Sequence, residues 1–501
     1  MADEARSLLS TGASHAYATP PADFNQLTHP LATGLPTSCT PTDSDSDVEA
    51  AMTLETPINP RAEIFALLHL AGPMFVTFLL EILPGFLSVV LVGHINSPHT
   101  KEFVDAATMS TVFFNVCGLS IGVGLTTAMD TLCSQCVGAG KEHLLGMYLQ
   151  SGFVVLSLAY VPMLVLNWHT TYFLEALGQD PMVATLAGDF SCITIFSLPL
   201  IFVYELLKKV LQAQEIVSPM VYIAVLSNAI FIAVGYYLCY VTDIGFLGAA
   251  YARIACNAAM PLFALLYLAW HPVYKSWWPT DTSAASQWRD AVAHVPEFIA
   301  LGVPGMLMIL MDWWAFEILA FMAGWLPSPV LSLSVHSVLV TITVLVYSVY
   351  FGISEATTIR IGLALGANEP MRARAISSLA QRIAFVAAIF VAGLFVLTHN
   401  VLPALFIKDH DSITKTQRAL YFLALFEFVD GMNCVVQGIL RGMGRQSIGA
   451  YVNAAAYYGV GIPMAALFGF YFGGNVLGLW ADWRVVARRT FDRMAGEASE
   501  K

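Results

Sequence analysis

Eleven long apolar runs dominate this sequence and constrain its fold more than any other feature. Each run is long enough to cross a bilayer, which takes about 20 apolar residues. Hydrophobic residues make up 57% of the chain and charged residues 12%, and the mean hydropathy of +0.68 lies well outside the soluble range. We therefore predict an all-α, multi-pass integral membrane protein with spans near 64–92, 104–129, 145–168, 182–206, 218–241, 246–270, 296–322, 329–352, 376–398, 418–439 and 448–472.

The amino-terminal end lacks such a run. Residues 1–60 are rich in Ser, Thr, Pro and Asp, which predicts a disordered tail without a cleavable signal peptide. Within this tail the segment EARSLL, from Glu4 to Leu9, matches an acidic dileucine sorting pattern. The membrane is predicted to be the plasma membrane or a vacuolar or endosomal one, and the dileucine pattern favours the internal compartments slightly.

Cysteine and histidine patterns argue against a metal or catalytic site. The eight Cys are scattered, mostly within apolar runs, so they form neither a disulfide framework nor a zinc spacing. The twelve His show no spacing such as HExxH. We predict a monomer that is not an enzyme, that uses no metal or cofactor and that binds no nucleic acid.

An internal repeat organises the spans. GLTTAMDTLCSQCVGAGKE from Gly124 aligns without gaps to GISEATTIRIGLALGANEP from Gly352, an offset of 228, and LQAQEIVSP aligns to LRGMGRQSI with an offset of 229. Pro73 falls opposite Pro304 with an offset of 231, which also brings Glu81 onto Asp312. Nearly equal offsets in chain order predict two homologous six-span lobes, a common transporter plan.

The second copy of the repeat ends early. After Gly478 the chain continues as LWADWRVVARRTF, with no apolar stretch for a twelfth span. We predict that a segment between Trp480 and Asp482 is missing. The predicted organisation is a disordered cytosolic tail (1–60), a first lobe (61–272), a cytosolic linker (273–295), a second lobe (296–480) and a basic tail (481–501).

Basic residues alternate between the predicted connections. The even connections carry ten Lys and Arg, and the odd connections carry Lys101, Lys408, Lys415 and Arg418. The positive-inside rule therefore places the amino terminus and the even connections in the cytosol. The ten are Lys141, Lys208, Lys209, Lys275, Arg289, Arg360, Arg372, Arg374, Arg441 and Arg445.

Carboxylates inside the apolar runs are candidates for function. An aspartate at the centre of a span costs about 2.5–3.5 kcal/mol on insertion scales, so these groups should face a cavity or a partner. Glu427 and Asp430, three residues apart, lie on one helix face, whereas Asp312 and Glu317 diverge by about 140°. The aromatic neighbours Trp313 and Trp314 could add cation–π attraction for a cationic substrate.

Paired carboxylates away from water can hold either a proton or an organic cation. A proton that enters from one side neutralises the site and releases the cation, which is sufficient for antiport when two lobes expose the site alternately. Two facing carboxylates are equally good oxygen ligands for Na⁺. The chemistry of these residues therefore leaves proton and sodium coupling open.

Several motifs in order resemble the multidrug and toxic compound extrusion (MATE) transporters of the eukaryotic type, over about residues 62–480. They are LAGPMF with VLVGHI, NVCGLSIGVGLTTAMDTLCSQCVGAGK, VLQAQEIVSP, IGFLGAA, VPGMLMILMDWWAFE, IRIGLALGANEP and ILRGMGRQSIGAYVNAAAYYGVGIP. The resemblance implies a twelve-helix, two-lobe exporter of organic cations and other drug-like compounds, driven by proton or sodium exchange.

The resemblance also implies roles for particular residues. Asp312 and Glu317 hold the acidic positions of the seventh span, Asp430 holds that of the tenth, eleven residues before Arg441, and Asn115 holds the polar position of the second. Glu427 and Glu81 are further candidates for the substrate and proton site. The motifs also contain residues to which we assign structural roles: Asp130, Gln135, Gln212, Arg441, Gly442 and Tyr457.

The favoured function is proton-coupled efflux of organic cations and drug-like compounds by alternating access. One alternative is a sodium-coupled exporter of secondary metabolites. Another is a lipid-linked oligosaccharide flippase of the same superfamily, for which a more basic cavity would be expected.

Overall fold

The computed structural model describes residues 59–279, 283–407, 409–472 and 474–481. Within these residues eleven helices are long and apolar enough to cross a membrane, which confirms the predicted number of spans. In chain order they are α1 Pro60–Gly93, α2 Thr100–Gly138, α3 Glu142–Trp168, α4 Pro181–Ala213, α5 Ser218–Val241, α6 Gly245–Trp270, α7 Val295–Gly324, α8 Pro329–Gly366, α9 Pro370–Thr398, α10 His410–Gly442 and α11 Gln446–Tyr471.

Three short α-helices accompany the spans, and the described residues contain no β-strand. The short helices are Thr170–Ala176, Ala284–Ala293 and Asn475–Ala481. The predicted amino-terminal tail before Asn59, its dileucine pattern, and the chain from Asp482 onward lie outside the described residues. The predicted loss of a twelfth span therefore stays a prediction.

Prolines and acidic caps mark where the helices begin. Proline occupies the first turn of α1, α4, α8 and α9, where its missing N–H leaves no helical hydrogen bond unmade. The side chain of Asp180 caps α4, and that of Asp409 caps α10. Prolines within spans, such as Pro304 in α7, are tolerated because neighbouring helices can satisfy the freed backbone groups.

The spans pack as two lobes, α1–α6 and α7–α11. Within the first lobe α5 packs against α1 and α6, and within the second lobe α10 packs against α8 and α9. Between the lobes α2 packs against α7, and α1 packs against α8. The repeat makes α1 equivalent to α7 and α2 equivalent to α8, so these two contacts are equivalent to each other. The interface therefore has the pseudo-symmetry that the repeat predicts. The lobe boundaries given from the sequence remain predictions.

A close contact between α2 and α8 lies on the pseudo-symmetry axis. A Cβ added at Gly138 would collide with the backbone of Leu363, and one at Gly366 would collide with the backbone of Gln135. The repeat pairs Gly138 with Gly366. Small residues therefore set the approach of the two lobes, as they do in membrane helix pairs generally.

Two spans contain π-helical segments near the predicted polar site residues. Asn115–Leu119 in α2 and Ala454–Gly461 in α11 both have this wider geometry, which is frequent at functional sites. Asn115 begins the first segment, and Tyr457 lies inside the second.

Six of the ten basic residues that the sequence assigns to the even connections lie inside the spans instead: Lys208, Lys209, Arg360, Arg372, Arg374 and Arg441. Lys208 and Lys209 are buried in α4, and Arg441 is buried near the end of α10. The helices continue past the apolar runs because these charges have partners inside the protein. Lys101, Lys415 and Arg418 of the odd connections also lie inside spans. The excess of basic residues therefore stays with the even connections, and the orientation stays a prediction.

Candidate functional site

Asp312 lies on α7 and faces polar side chains of α10 and α11. Its Oδ2 atom accepts a hydrogen bond of 3.0 Å from Nε2 of Gln437, and its Oδ1 atom accepts one of 3.2 Å from Nδ2 of Asn453. The hydroxyl of Tyr457 is a further hydrogen-bond partner. Three donors from two helices therefore hold this carboxylate inside the second lobe.

Asp430 is an acidic neighbour of Asp312. It lies on α10 seven residues before Gln437, which is about two helical turns and places both side chains on one face. The two carboxylates are close enough for their charges to repel each other. Among the described residues no hydrogen bond or ion pair reaches Asp430. The site thus contains one carboxylate with several donors and one without.

Glu427 lies one turn before Asp430 on the same helix, as its spacing predicts, and it is completely buried. Neither of its carboxylate oxygens has a hydrogen-bond partner within the part of the chain that the structure describes. The hydroxyls of Thr343 and Tyr350 on α8 lie nearby, outside hydrogen-bonding geometry. Glu427 is therefore a second acidic group behind Asp430, further from the donors that hold Asp312.

Other candidates of α7 do not join this group. Glu317 is half-buried and has no charged neighbour among the described residues, as expected from its divergence from Asp312. Trp313 is half-buried and Trp314 is exposed, and neither makes a ring contact with the aromatic side chains described around the second lobe. Phe316 instead packs against Phe426 and Trp480 in the core of this lobe.

The candidates of the first lobe lie in a different cluster. Glu81 forms an ion pair with Nζ of Lys208 at 2.8 Å, and the same ammonium group contacts Glu205 at 2.6 Å. The repeat places Glu81 opposite Asp312, yet its carboxylate is neutralised by a lysine rather than held by neutral donors. Asn115 is half-buried, and its Oδ1 atom has no hydrogen-bond partner within the described ranges.

The MatE family profile matches two separate stretches of the chain, residues 73–238 and residues 304–467. The chain belongs to the MatE family. The two matches begin 231 residues apart, the same offset that pairs Pro73 with Pro304, so the repeat and the family resemblance inferred from the motifs are both confirmed.

Individual relatives cover most of this MatE chain. It is 34% identical over 434 residues to multidrug and toxin extrusion protein 2 of Pongo abelii, which covers 83% of this chain and 72% of that protein. It is 32% identical over 423 residues to protein DETOXIFICATION 16 of Arabidopsis thaliana, which covers 84% of each. The crystal structure of the eukaryotic MATE transporter AtDTX14 superposes with a TM-score of 0.79 at 30% identity, covering 88% of this chain and 99% of that chain. The chain is therefore a multi-pass membrane transporter of the multidrug and toxin extrusion type.

Four charged side chains join the two MatE lobes, and we call them the interlobe network. Lys209 of the first lobe bridges Asp130 of its own lobe and Glu355 of the second, each at 2.7 Å. Arg441 of the second lobe pairs with the same two carboxylates. Two positive and two negative charges thus neutralise one another in a buried position.

Neutral hydrogen bonds surround the interlobe network. The hydroxyl of Thr131 donates to the backbone carbonyl of Arg441 at 2.5 Å, and the amide of Gln135 donates to that of Gly442 at 3.2 Å. Gln212 follows Lys209 by about one helical turn and is buried. Its Oε1 atom has no hydrogen-bond partner among the described residues. Asp130, Gln135, Arg441 and Gly442 thus meet where the lobes touch, at the position of the sequence motifs that contain them.

Further ion pairs cross between the lobes at the start of α1. Glu63 pairs with Arg360 at 2.6 Å and with Arg372 at 2.8 Å, and Arg360 also pairs with Glu215. The lobes are therefore bound to each other by charged residues at the end of the molecule where α1 and α9 begin.

Sequence reasoning missed three residues of the Asp312 site. Gln437 and Asn453 were not singled out, and Tyr457 was given a structural role although it contacts Asp312. A signal was available, because Asn453 and Tyr457 are one turn apart and Gln437 is two turns after Asp430.

Proposed function

We propose that this MatE transporter exports organic cations and other drug-like compounds in exchange for protons. The observation that carries the proposal is the position of Asp430 beside Asp312 in the interior of the second lobe. Both lie in spans, where an uncompensated charge is costly. A cation or a proton at this pair removes the same repulsion, so the two compete for one site.

Asp312 and Asp430 have different roles in this proposal. Asp312 accepts hydrogen bonds from Gln437 and Asn453, and such donors stabilise its negative charge and fix its orientation. Asp430 has no donor within the described residues, so its charge depends most on what binds next to it. Asp430 is accordingly the group at which a proton displaces the cation.

Glu427 has a proposed supporting role as a second proton-holding group. Its buried carboxylate, one turn from Asp430, lacks partners among the described side chains, so a negative charge there is costly. Asn115, Glu81, Glu317, Trp313 and Trp314 remain proposed substrate contacts, of which Glu81 is the least available because Lys208 holds it.

Alternating access follows from the two-lobe fold in this proposal. The interlobe network and the Glu63 pairs close one end of the molecule, which the loop charges assign to the cytosol. Opening that end requires these pairs to separate. We place the amino terminus in the cytosol, and we propose a monomer in the plasma membrane or in a vacuolar or endosomal membrane.

The test is uptake of a fluorescent organic cation into proteoliposomes under an imposed pH gradient. Asp430→Asn removes the proposed proton site, and Asp411→Asn, an exposed change at the start of the same helix, is the control. We expect uptake that collapses with the gradient and with Asp430→Asn, while Asp411→Asn transports normally.

Sodium separates the coupling ions in the same assay. Uptake that needs a sodium gradient and ignores the pH gradient would replace proton coupling with sodium coupling. Full transport by a folded Asp430→Asn protein would remove the carboxylate pair from the mechanism.

A further inference from the structure

A groove between the lobes opens on the outside of the helix bundle. It has a volume of 840 Å³ and is walled by α1 of the first lobe and α9 of the second, with α8 between them. On α1 its lining residues recur every three or four positions from Pro60 to Phe75, and on α9 they recur in the same way from Leu379 to Phe390. One face of each helix is therefore turned to this groove over about 20 Å.

Arg382 is the one charged side chain among the fourteen residues that line the groove. It is exposed, and no hydrogen bond or ion pair reaches it from any residue that the structure describes. Arg372 lies almost three turns earlier on α9. It differs from Arg382 because Glu63 and Glu369 neutralise its charge. Among the described residues, Arg382 thus places an unpaired guanidinium beside an otherwise apolar groove.

The depth of Arg382 explains why it needs an anion. It follows Pro370, the start of α9, by twelve residues, which is about 18 Å along a helix. A span of this length crosses the bilayer with its headgroup regions, so the backbone of Arg382 lies below the headgroups and its side chain reaches back toward them. A cation at this depth is costly without a counter-ion.

We propose that this groove binds an anionic phospholipid, with the headgroup on Arg382 and an acyl chain along the apolar walls. The occupant must be apolar over most of its length and negative at one end, which matches this class of lipid in both respects. A zwitterionic phospholipid fits less well, because its own cation competes for the phosphate. The bound lipid contacts α1 and α9 together, so it stabilises the lobe arrangement described above.

Binding is tested on the purified full chain by native mass spectrometry. The probes are phosphatidylserine and phosphatidylcholine with identical acyl chains. We expect Arg382→Gln to lower the affinity for phosphatidylserine about fivefold, as loss of one basic contact implies, and to leave phosphatidylcholine unchanged. Arg374→Gln, at an exposed arginine of the same helix, is the control and should change neither. Equal effects of the two substitutions would overturn the proposal, since they would indicate general surface attraction.

Gly72 provides a second variant that fills the groove instead of changing its charge. It lines the groove, and a Cβ added there meets nothing within 4 Å, so a side chain can start there without a collision at its Cβ. We expect Gly72→Phe to weaken binding of both lipids. The control is Gly393→Phe, since Gly393 on α9 is equally free of neighbours but lies outside the groove. Unchanged lipid affinity in Gly72→Phe would also overturn the proposal, and neither readout depends on transport.

Discussion

Asn453 of α11 links two positions of α7 through a single amide nitrogen. Its Nδ2 atom donates to Oδ1 of Asp312 at 3.2 Å and to the backbone carbonyl of Met308, one turn earlier, at 3.1 Å. The side chain is buried, and Asn453 is the last α-helical residue before the π-helical segment of α11. The orientation of Asp312 is therefore tied to the position of α11.

Replacement of Asn453 tests this link. Asn453→Leu keeps a similar volume but removes the donor, and a hydrogen bond to a charged group contributes roughly 1.5–3 kcal/mol. We expect cation uptake to fall about tenfold or more in proteoliposomes, while Asn453→Gln, which retains an amide, loses less. An uptake rate in Asn453→Leu equal to that of the unmodified protein would mean that Asp312 does not depend on this donor.

Glu355 tests the interlobe network. Glu355→Gln leaves Lys209 and Arg441 with a single carboxylate, and an uncompensated charge in a buried pair costs about 3–5 kcal/mol. We expect a clear fall in the apparent melting temperature of the purified protein. Glu369→Gln, which breaks a partly exposed pair with Arg372, should cost less than about 1 kcal/mol.

A double variant separates charge balance from packing at this position. Adding Lys209→Met to Glu355→Gln leaves Asp130 paired with Arg441, so part of the lost stability should return. If the two substitutions simply add, the network is not a coupled unit.

Gly366 tests the close approach of α2 and α8. Gly366→Val introduces a side chain where the backbone of Gln135 already lies, and overpacking of this kind costs about 1–3 kcal/mol or more. We expect a lower melting temperature. Gly393→Val carries the same chemical change at a site without neighbours and should be nearly neutral. Similar melting temperatures for both variants would argue against a tight contact at Gly366.

Trp480 tests whether the short helix Asn475–Ala481 belongs to the second lobe. Its side chain is 1% exposed and packs against Phe316, Phe426 and His336. Trp480→Ala should destabilise the protein by about 3–5 kcal/mol, whereas Trp270→Ala, at a residue that is 84% exposed, should have little effect. Comparable thermal shifts in the two variants would place Trp480 outside the core.

The number of spans, the two-lobe repeat and the family could all be predicted from the sequence. These features depend on apolar length and on motif order, both of which are local properties of the chain. The pairing of Glu427 with Asp430 on one face and the divergence of Glu317 from Asp312 also follow from helical geometry alone. The offset of 231 residues appeared in the family matches unchanged.

The contacts between polar groups, in contrast, could not be predicted without the folded structure. Lys209 was assigned to a loop, and its partner Glu355 lies 146 residues further along the chain. Gln437 and Asn453 reach Asp312 across 125 and 141 residues. Such contacts leave no periodic pattern of residues in the sequence, because they depend on how separate helices approach one another. An unpaired charge or polar group away from water is costly, and the folded protein removes this cost by bringing together residues that are distant in sequence.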